Sequence, residues 1–314
     1  MTQVIVVGAG HWGRNLVRNF SELGALSGVV EVDPYLRQEI AKEYPGVSLY
    51  ENYNKALQSE VSAFIIATPA PTHYQISLKA LQAGKDVFIE KPITLRIDEA
   101  RHLAEYANLN NQVLMVGHLL LYQPAIRWME EYLATGKAGK ILHIAAQRVK
   151  LGKVRQNENV WWSFAPHDIS VVLQLLGQPK LKSITASGQA MLQPGIEDNV
   201  HVHLTFEDGA TAHIHSSWYW PQLARNTVII GSQQMLFYDE VSQKITIYNK
   251  GVDGEFNTRD EGSEVIEIQN PQPLRTECQH FIDCVKSRES PISDGWNGVA
   301  VVEILEKASE LLHG

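Results

Sequence analysis

The stretch VIVVGAGHWG, residues 4–13, decides how the first part of the chain folds. An apolar run of buried-strand length (4–9) meets a G-x-G-x-x-G pattern. Helical spacing of Leu16, Val17, Phe20 and Leu23 follows. A strand, a glycine turn and a helix in that order form the context in which this pattern holds a dinucleotide. Gly8 permits the tight turn, Gly10 lets the backbone approach a diphosphate, and Gly13 lets the helix sit close to the strand. Backbone N–H groups at the helix N-terminus hold such an anion without a cationic patch. His11 and Trp12 lie inside the loop and are expected beside the cofactor. Asp33 stands 20 residues after Gly13. A carboxylate there accepts from a ribose 2′-hydroxyl and repels a 2′-phosphate, which favours NAD over NADP. The same residue also reads as a turn-initiating acid before Pro34. Arg37, one helical turn on, is placed to offset a phosphate.

Outward from this unit, further apolar strands at 26–33, 62–68, 86–90 and 113–117 alternate with helices at 35–44, 72–83 and 96–108. That alternation predicts a doubly wound parallel sheet covered on both faces. The prolines of ATPAPTHY (67–74) hold an extended loop over the carboxyl edge of the sheet, where ligands bind in such folds. Thr68 and Pro69 are expected at the cofactor, while His73 touches it or caps its own helix. Glu90-Lys91-Pro92 ends the strand DVFIE at the same edge. A lysine there suits an active site better than an apolar strand end, and a cis Pro92 would aim it.

After Tyr122 the texture changes. A helix at 123–134 leads to runs of period two at 141–151, 181–190, 199–206, 210–220, 227–232, 235–240 and 244–249. These predict a mostly antiparallel sheet with one open face. A helix around 168–176 interrupts it, helices at 275–287 and 297–312 close the chain, and the segment 251–263 reads as a mobile loop. The fold expectation is an α/β Rossmann domain over 1–121 and an α+β substrate-binding and oligomerisation domain over 122–314. The last helices are expected to pack back on the first domain. His201, His203, His213 and His215 tempt a metal reading, because His-x-His on a strand puts both rings on one face. No cysteine or carboxylate completes a tetrahedral set, so the expectation is no metal and a polar sheet face for self-association as a homodimer or homotetramer.

A chain of 314 residues suits two domains. Its formal charge of −8 disfavours a nucleic acid or an anionic membrane as partner. A phosphorylated small molecule held by a few local donors stays open. Cys278 and Cys284 cannot form a disulfide framework and read as reduced core thiols. The N-terminus reads as a strand and not a signal peptide, and no apolar run is long enough to span a bilayer. Together these point to a cytoplasmic protein.

With GAGHWG (8–13), TPAPTH (68–73), EKPI (90–93), GH (117–118) and PHDI (166–169) in this order, the chain resembles the glucose-fructose oxidoreductase / inositol dehydrogenase / MocA family over nearly its whole length. The resemblance implies an NAD-dependent sugar dehydrogenase. WWSFAPHDISVVLQLLG (161–177) and SSWYWPQLARNTVIIGSQQMLFYDE (216–240) look like a narrower branch of sugar 3-dehydrogenases acting on UDP-linked amino sugars. The ketones of that branch feed an aminotransferase in lipid A or polysaccharide synthesis. The family pairs its EKP lysine with an Asp and a His four residues apart. Here His167 matches the His, and Ser163 stands where the Asp would be.

Oxidising a secondary alcohol requires a base for the hydroxyl proton, which suits His167, and a cation for the developing alkoxide, which suits Lys91. Burial beside a positive nicotinamide would also let Lys91 be the base, or Asp168 be recruited in place of the missing Asp. Alternatively, Asp168 caps its helix. His118, Tyr122, Lys150, Arg155, Asn159 and Arg225 are candidates for substrate contact. A dehydrogenase of a free sugar, inositol or another nucleotide sugar is the same-class alternative. A non-catalytic NAD-binding sensor is the alternative that Ser163 leaves open.

Overall fold

Apolar strands of four or five residues, each buried along most of its length, organise the first half of the chain. The structure, a computed structural model, describes residues 2–269 and 272–313. In chain order the elements are β1 (Val4–Val7), α1 (Gly13–Glu22), β2 (Leu26–Val30), α2 (Pro34–Glu43), β3 (Ser48–Tyr50), α3 (Tyr53–Leu57), β4 (Ala63–Ile66), α4 (His73–Gln82), β5 (Asp86–Glu90), α5 (Ile97–Leu109) and β6 (Leu114–Gly117). The strands pair in parallel in the order β3-β2-β1-β4-β5-β6. Strand order reverses between β1 and β4, and ligands of such sheets bind beyond the carboxyl ends of the strands at that point. The sequence reading passed over β3 and α3. Both are short, and Ser48-Leu49-Tyr50 is half-exposed, so no apolar run announces it.

The chain continues with α6 (Pro124–Ala134), β7 (Ile141–Leu151), α7 (Val160–Leu175), β8 (Leu181–Gln189), β9 (Asn199–Phe206), β10 (Thr211–Ser217), β11 (Tyr219–Gly231), β12 (Met235–Asp239), β13 (Lys244–Val252), β14 (Thr258–Glu267), α8 (Pro273–Ser287) and α9 (Gly295–His313). The second sheet runs β14-β13-β12-β11-β7-β10-β9-β8. It is antiparallel except where β10 lies parallel to β7. Val200, Val202, Leu204, Ile214 and Ile229 are buried on one of its faces. Two compact units result. One comprises Met1–Leu119 and Gln272–Glu303, the other Leu120–Pro271 and Ile304–Gly314.

Two further elements differ from expectation. Residues 258–267 form the edge strand β14 instead of a mobile loop. Its register on β13 is set by pairs such as Lys244 with Glu267 and Lys250 with Asp260, which a search for apolar alternation does not see. Helix α7 begins at Val160, ahead of Pro166, although proline argues for a helix start. Asn159 provides the N-cap by accepting from the Trp162 N–H at 3.1 Å, and the buried Val160 and Trp161 anchor the first turn.

Candidate active site

The glycine loop has the shape a diphosphate needs. Gly8 has φ +93°, and a Cβ there would lie 2.9 Å from the Ala67 carbonyl oxygen. A Cβ at Gly13 would lie 2.1 Å from the Gly8 carbonyl oxygen, whereas at Gly10 it would meet nothing within 4 Å. The close approaches are therefore inside the turn, and the open space is where a ligand backbone would come. The first turn of α1 carries no acidic side chain, so its N–H groups face an anion without competition. His11 and Trp12 are exposed and flank the loop.

Asp33 has a structural task here. It is the N-cap of α2, its Oδ1 accepting from the N–H groups of Tyr35 (2.8 Å) and Leu36 (3.3 Å). The acid at the end of β2 is Glu31. Its Oε2 accepts from the Ala9 N–H of the glycine loop at 2.7 Å and its Oε1 from the Asp33 N–H at 3.0 Å. Arg37 donates to the Glu31 carbonyl at 2.6 Å. The spacing rule thus fits both Glu31 and Asp33, and Glu31 has its carboxylate on the loop itself. The Asp-Pro signature of a cap was the signal that separates them.

Thr68 and Pro69 lie at the end of β4, with the Thr68 hydroxyl bonded to Thr72 at 2.7 Å. His73 is 1% exposed, and its two ring nitrogens lie 2.8 Å from the carbonyl oxygens of Thr68 and Pro92. It ties the two loops together. Burial disfavours its charged form.

Glu90 is buried at the end of β5. The Trp12 indole N–H donates to its Oε1, and the Lys91 N–H to its Oε2 at 3.3 Å. Burial pushes its carboxyl up to about 7. It faces Gly117 on β6, where a Cβ would lie 3.1 Å from its Oε2, so the glycine makes room for it. The half-buried Lys91 follows, and the Lys91–Pro92 peptide is cis. His118 is 1% exposed, with Nδ1 2.6 Å from the Asn297 Oδ1 and Nε2 without a hydrogen-bond partner. Burial holds its pKa down at about 4, so it is a neutral imidazole at physiological pH.

In the second unit, Ser163 and His167 occupy positions i and i+4 of α7, hence one face. Ser163 is buried and His167 half-buried. Asp168 neither caps the helix nor stands free beside His167. Both its oxygens accept from the Arg148 guanidinium, at 2.9 and 3.0 Å, and Arg148 also binds Glu240, which binds Arg225 at 3.1 Å. Burial pushes Asp168 up against the pull of Arg148. Glu240 feels the same burial, but Arg148 and Arg225 outweigh it and hold its carboxyl low. Arg148, unremarked in the sequence, is the centre of this network.

Asn159 is spent on the α7 cap and on Glu197, to which its Nδ2 donates at 2.6 Å. Lys150 lies over the Phe164 ring at 5.7 Å, Arg155 pairs with Glu158 at 3.0 Å, and Tyr122 is 3% exposed. On the open sheet face His201 stacks on His215 (3.9 Å), and His203 meets His213 at a tilt of 44° (4.4 Å). Among the described residues no group of three or more His, Cys, Asp or Glu is arranged to hold a metal ion. No described helix is long and apolar enough to cross a membrane.

Residues 2–118 match the model of an oxidoreductase family with an NAD-binding Rossmann fold, and residues 126–237 match the GFO/IDH/MocA C-terminal domain. UDP-N-acetylglucosamine 3-dehydrogenase of Acidithiobacillus ferrooxidans is 28% identical over 306 residues, 95% of this chain and 93% of that protein. scyllo-Inositol 2-dehydrogenase (NAD(+)) of Bacillus subtilis is 24% identical over 249 residues, 74% of this chain and 70% of that protein. A solved structure of the A. ferrooxidans enzyme superposes with a TM-score of 0.87 at 26% identity, covering 99% of this chain and 97% of that one.

Proposed function

We propose a reaction for this chain on the premise that it belongs to the GFO/IDH/MocA oxidoreductase family, with an NAD-binding Rossmann domain. The chain oxidises the 3-hydroxyl of a UDP-linked amino sugar, UDP-N-acetylglucosamine or its uronic acid, to the 3-ketone. The observation that carries this is the similarity to UDP-N-acetylglucosamine 3-dehydrogenase along 95% of the chain. A bound NAD, held by the glycine loop and Glu31, would supply the hydride acceptor for the sugar carbon. His167 takes the hydroxyl proton. Lys91 stabilises the negative charge that grows on the oxygen. The ketone goes to an aminotransferase of lipid A or polysaccharide synthesis. The protein works in the cytoplasm as a homodimer or homotetramer joined through the open sheet face. As an oxidoreductase of this family it is a catalyst, not the NAD-binding sensor that Ser163 left open. NADH formation with NAD and UDP-N-acetylglucosamine tests the reading, and turnover of inositol or glucose with no UDP-sugar turned over would replace it. That second reading draws on the likeness to scyllo-inositol 2-dehydrogenase.

Glu31 takes the role expected of Asp33, accepting from the adenosine ribose while its other contacts fix the glycine loop. Glu31→Ala is expected to weaken NAD binding about 10- to 100-fold, the ~1.5–3 kcal/mol of a charge-assisted hydrogen bond. Asp33→Asn, which keeps a capping oxygen, should leave the NAD Kd nearly unchanged; calorimetric titration of both variants checks this.

With Asp168 bound by Arg148, α7 offers Ser163 in the place of a carboxylate partner for His167. Ser163→Asp should favour the imidazolium and move the acid limb of the kcat/KM profile up by about one pH unit. A limb that stays in place, measured from NADH formation across pH, would remove His167 as the base.

A further inference from the structure

A buried acid pair lies in the first unit. Phe88 and Glu90 point to the same face of β5, being two residues apart. Glu277 and Phe281 share one face of α8, being four apart. The rings of Phe88 and Phe281 meet edge-on with centroids 5.8 Å apart, so α8 packs on the side of β5 that carries Glu90, and Glu277 feels the charge of Glu90. Glu277 is 0% exposed, and neither of its carboxyl oxygens has a hydrogen-bond partner. Glu90 receives the Trp12 indole N–H and the Lys91 amide. The charged or titratable groups around the pair are Lys91, adjacent to Glu90, and Cys278, adjacent to Glu277. Arg275, nearer the surface, pairs with Glu22 at 3.4 Å.

Two buried carboxylates this close cannot both ionise at modest cost. The hydrogen bonds decide which one does. Glu90, with two N–H donors, takes the charge; Glu277, with none, keeps its proton.

We propose that Glu90 and Glu277 form a buried acid pair that carries at most one negative charge, on Glu90, and that this charge links a proton to the binding of oxidised rather than reduced nicotinamide cofactor. The sheet order supplies the connection. A dinucleotide lies across the reversal between β1 and β4, so with its adenosine ribose at the end of β2 its nicotinamide end falls on the β4–β5–β6 side. The oxidised ring is positive and the reduced ring neutral. NAD⁺ therefore favours the Glu90 carboxylate, and the proton it displaces goes to the buffer. NADH makes no such demand. The inference concerns the cofactor unit and holds whichever alcohol the enzyme oxidises. Glu277 is a positioning residue in it, fixing the charge on the carboxylate that holds Trp12.

Calorimetric titration of the intact enzyme with NAD⁺ and with NADH, in two buffers of different ionisation enthalpy, counts the protons released. Wild type should release protons with NAD⁺, and its NAD⁺ Kd should rise by up to about tenfold per pH unit below the Glu90 titration. NADH should show a smaller effect. Glu90→Gln should abolish the difference, and Glu277→Gln should keep it. A Glu buried with its proton has a folded pKa raised above the unfolded one, so its stability is fully present below the unfolded pKa and is lost as pH rises. Glu277→Gln should accordingly melt above wild type by a margin that widens as pH rises above the ordinary carboxyl range. Above the Glu90 titration, wild type should also show the infrared carbonyl stretch of a protonated carboxyl that Glu277→Gln lacks. Linkage surviving in Glu90→Gln, linkage lost in Glu277→Gln, or no protonated-carboxyl band in wild type at neutral pH would each overturn the proposal.

Discussion

Lys91→Ala is expected to lower kcat for sugar oxidation by about 10²–10³-fold, with a much smaller change in KM. The reason lies in when the charge exists. The sugar hydroxyl is neutral in the ground state, and negative charge grows on its oxygen as the proton and hydride leave. A fixed cation at the end of β5 therefore acts on the transition state more than on bound substrate, and its loss appears in kcat. A change below about tenfold would contradict this role. His167→Gln separates the two proton assignments. If His167 is the base, this variant loses about 10²–10⁴-fold, and its remaining rate climbs with hydroxide concentration, while Lys91→Ala keeps the acid limb of the wild-type profile. If Lys91 is the base, that limb disappears with Lys91. Steady-state rates of both variants across pH decide the matter.

Arg148→Met is expected to cost about 3–5 kcal/mol of stability at neutral pH. Arg148 is 8% exposed and bridges Asp168 on α7 to Glu240 at the end of β12. Removing it leaves two buried carboxylates that share one remaining cation, Arg225. The folded pKa of Glu240 then rises above its unfolded one, and that of Asp168, already raised by burial, rises further. Stability is present below the unfolded carboxyl pKa and lost as pH rises, so the deficit should narrow on acidification. Chemical denaturation near pH 5 and near pH 8 measures this. Replacing Arg148 together with both acids by apolar residues of similar volume should recover much of the loss, since the cost comes from unpaired charge more than from a missing attraction. A deficit that is small, or equal at both pH values, would mean the network is well solvated.

Residue pattern carried the Rossmann sheet because β1, β4, β5 and β6 are buried on both faces and so read as apolar runs. The glycine loop was legible for a related reason: Gly8 and Gly13 meet backbone oxygen at distances that exclude a Cβ. Features set by tertiary partners were not legible. Asp33 and Glu31 both fit the spacing rule, and the difference lies in which side chain finds the Ala9 N–H. Proline at 166 suggested a helix start, yet the α7 turn ahead of it is held by an Asn159 cap and buried aromatics. Nothing in the local pattern singled out Arg148, whose two carboxylate partners lie 20 and 92 residues away. Glu277 reads as an ordinary helical glutamate. Its burial follows from the edge-on seating of Phe281 against Phe88, which lies 193 residues earlier in the chain.

The most direct measurement incubates the enzyme with NAD and a panel of UDP-sugars and free polyols, follows NADH formation, and traps the ketone with an aminotransferase. The expected result is NADH formation with UDP-N-acetylglucosamine or its uronic acid, and an amino group at C3 of the trapped product. Turnover confined to inositol or a free sugar, or a trapped amine at another carbon, would contradict the assignment.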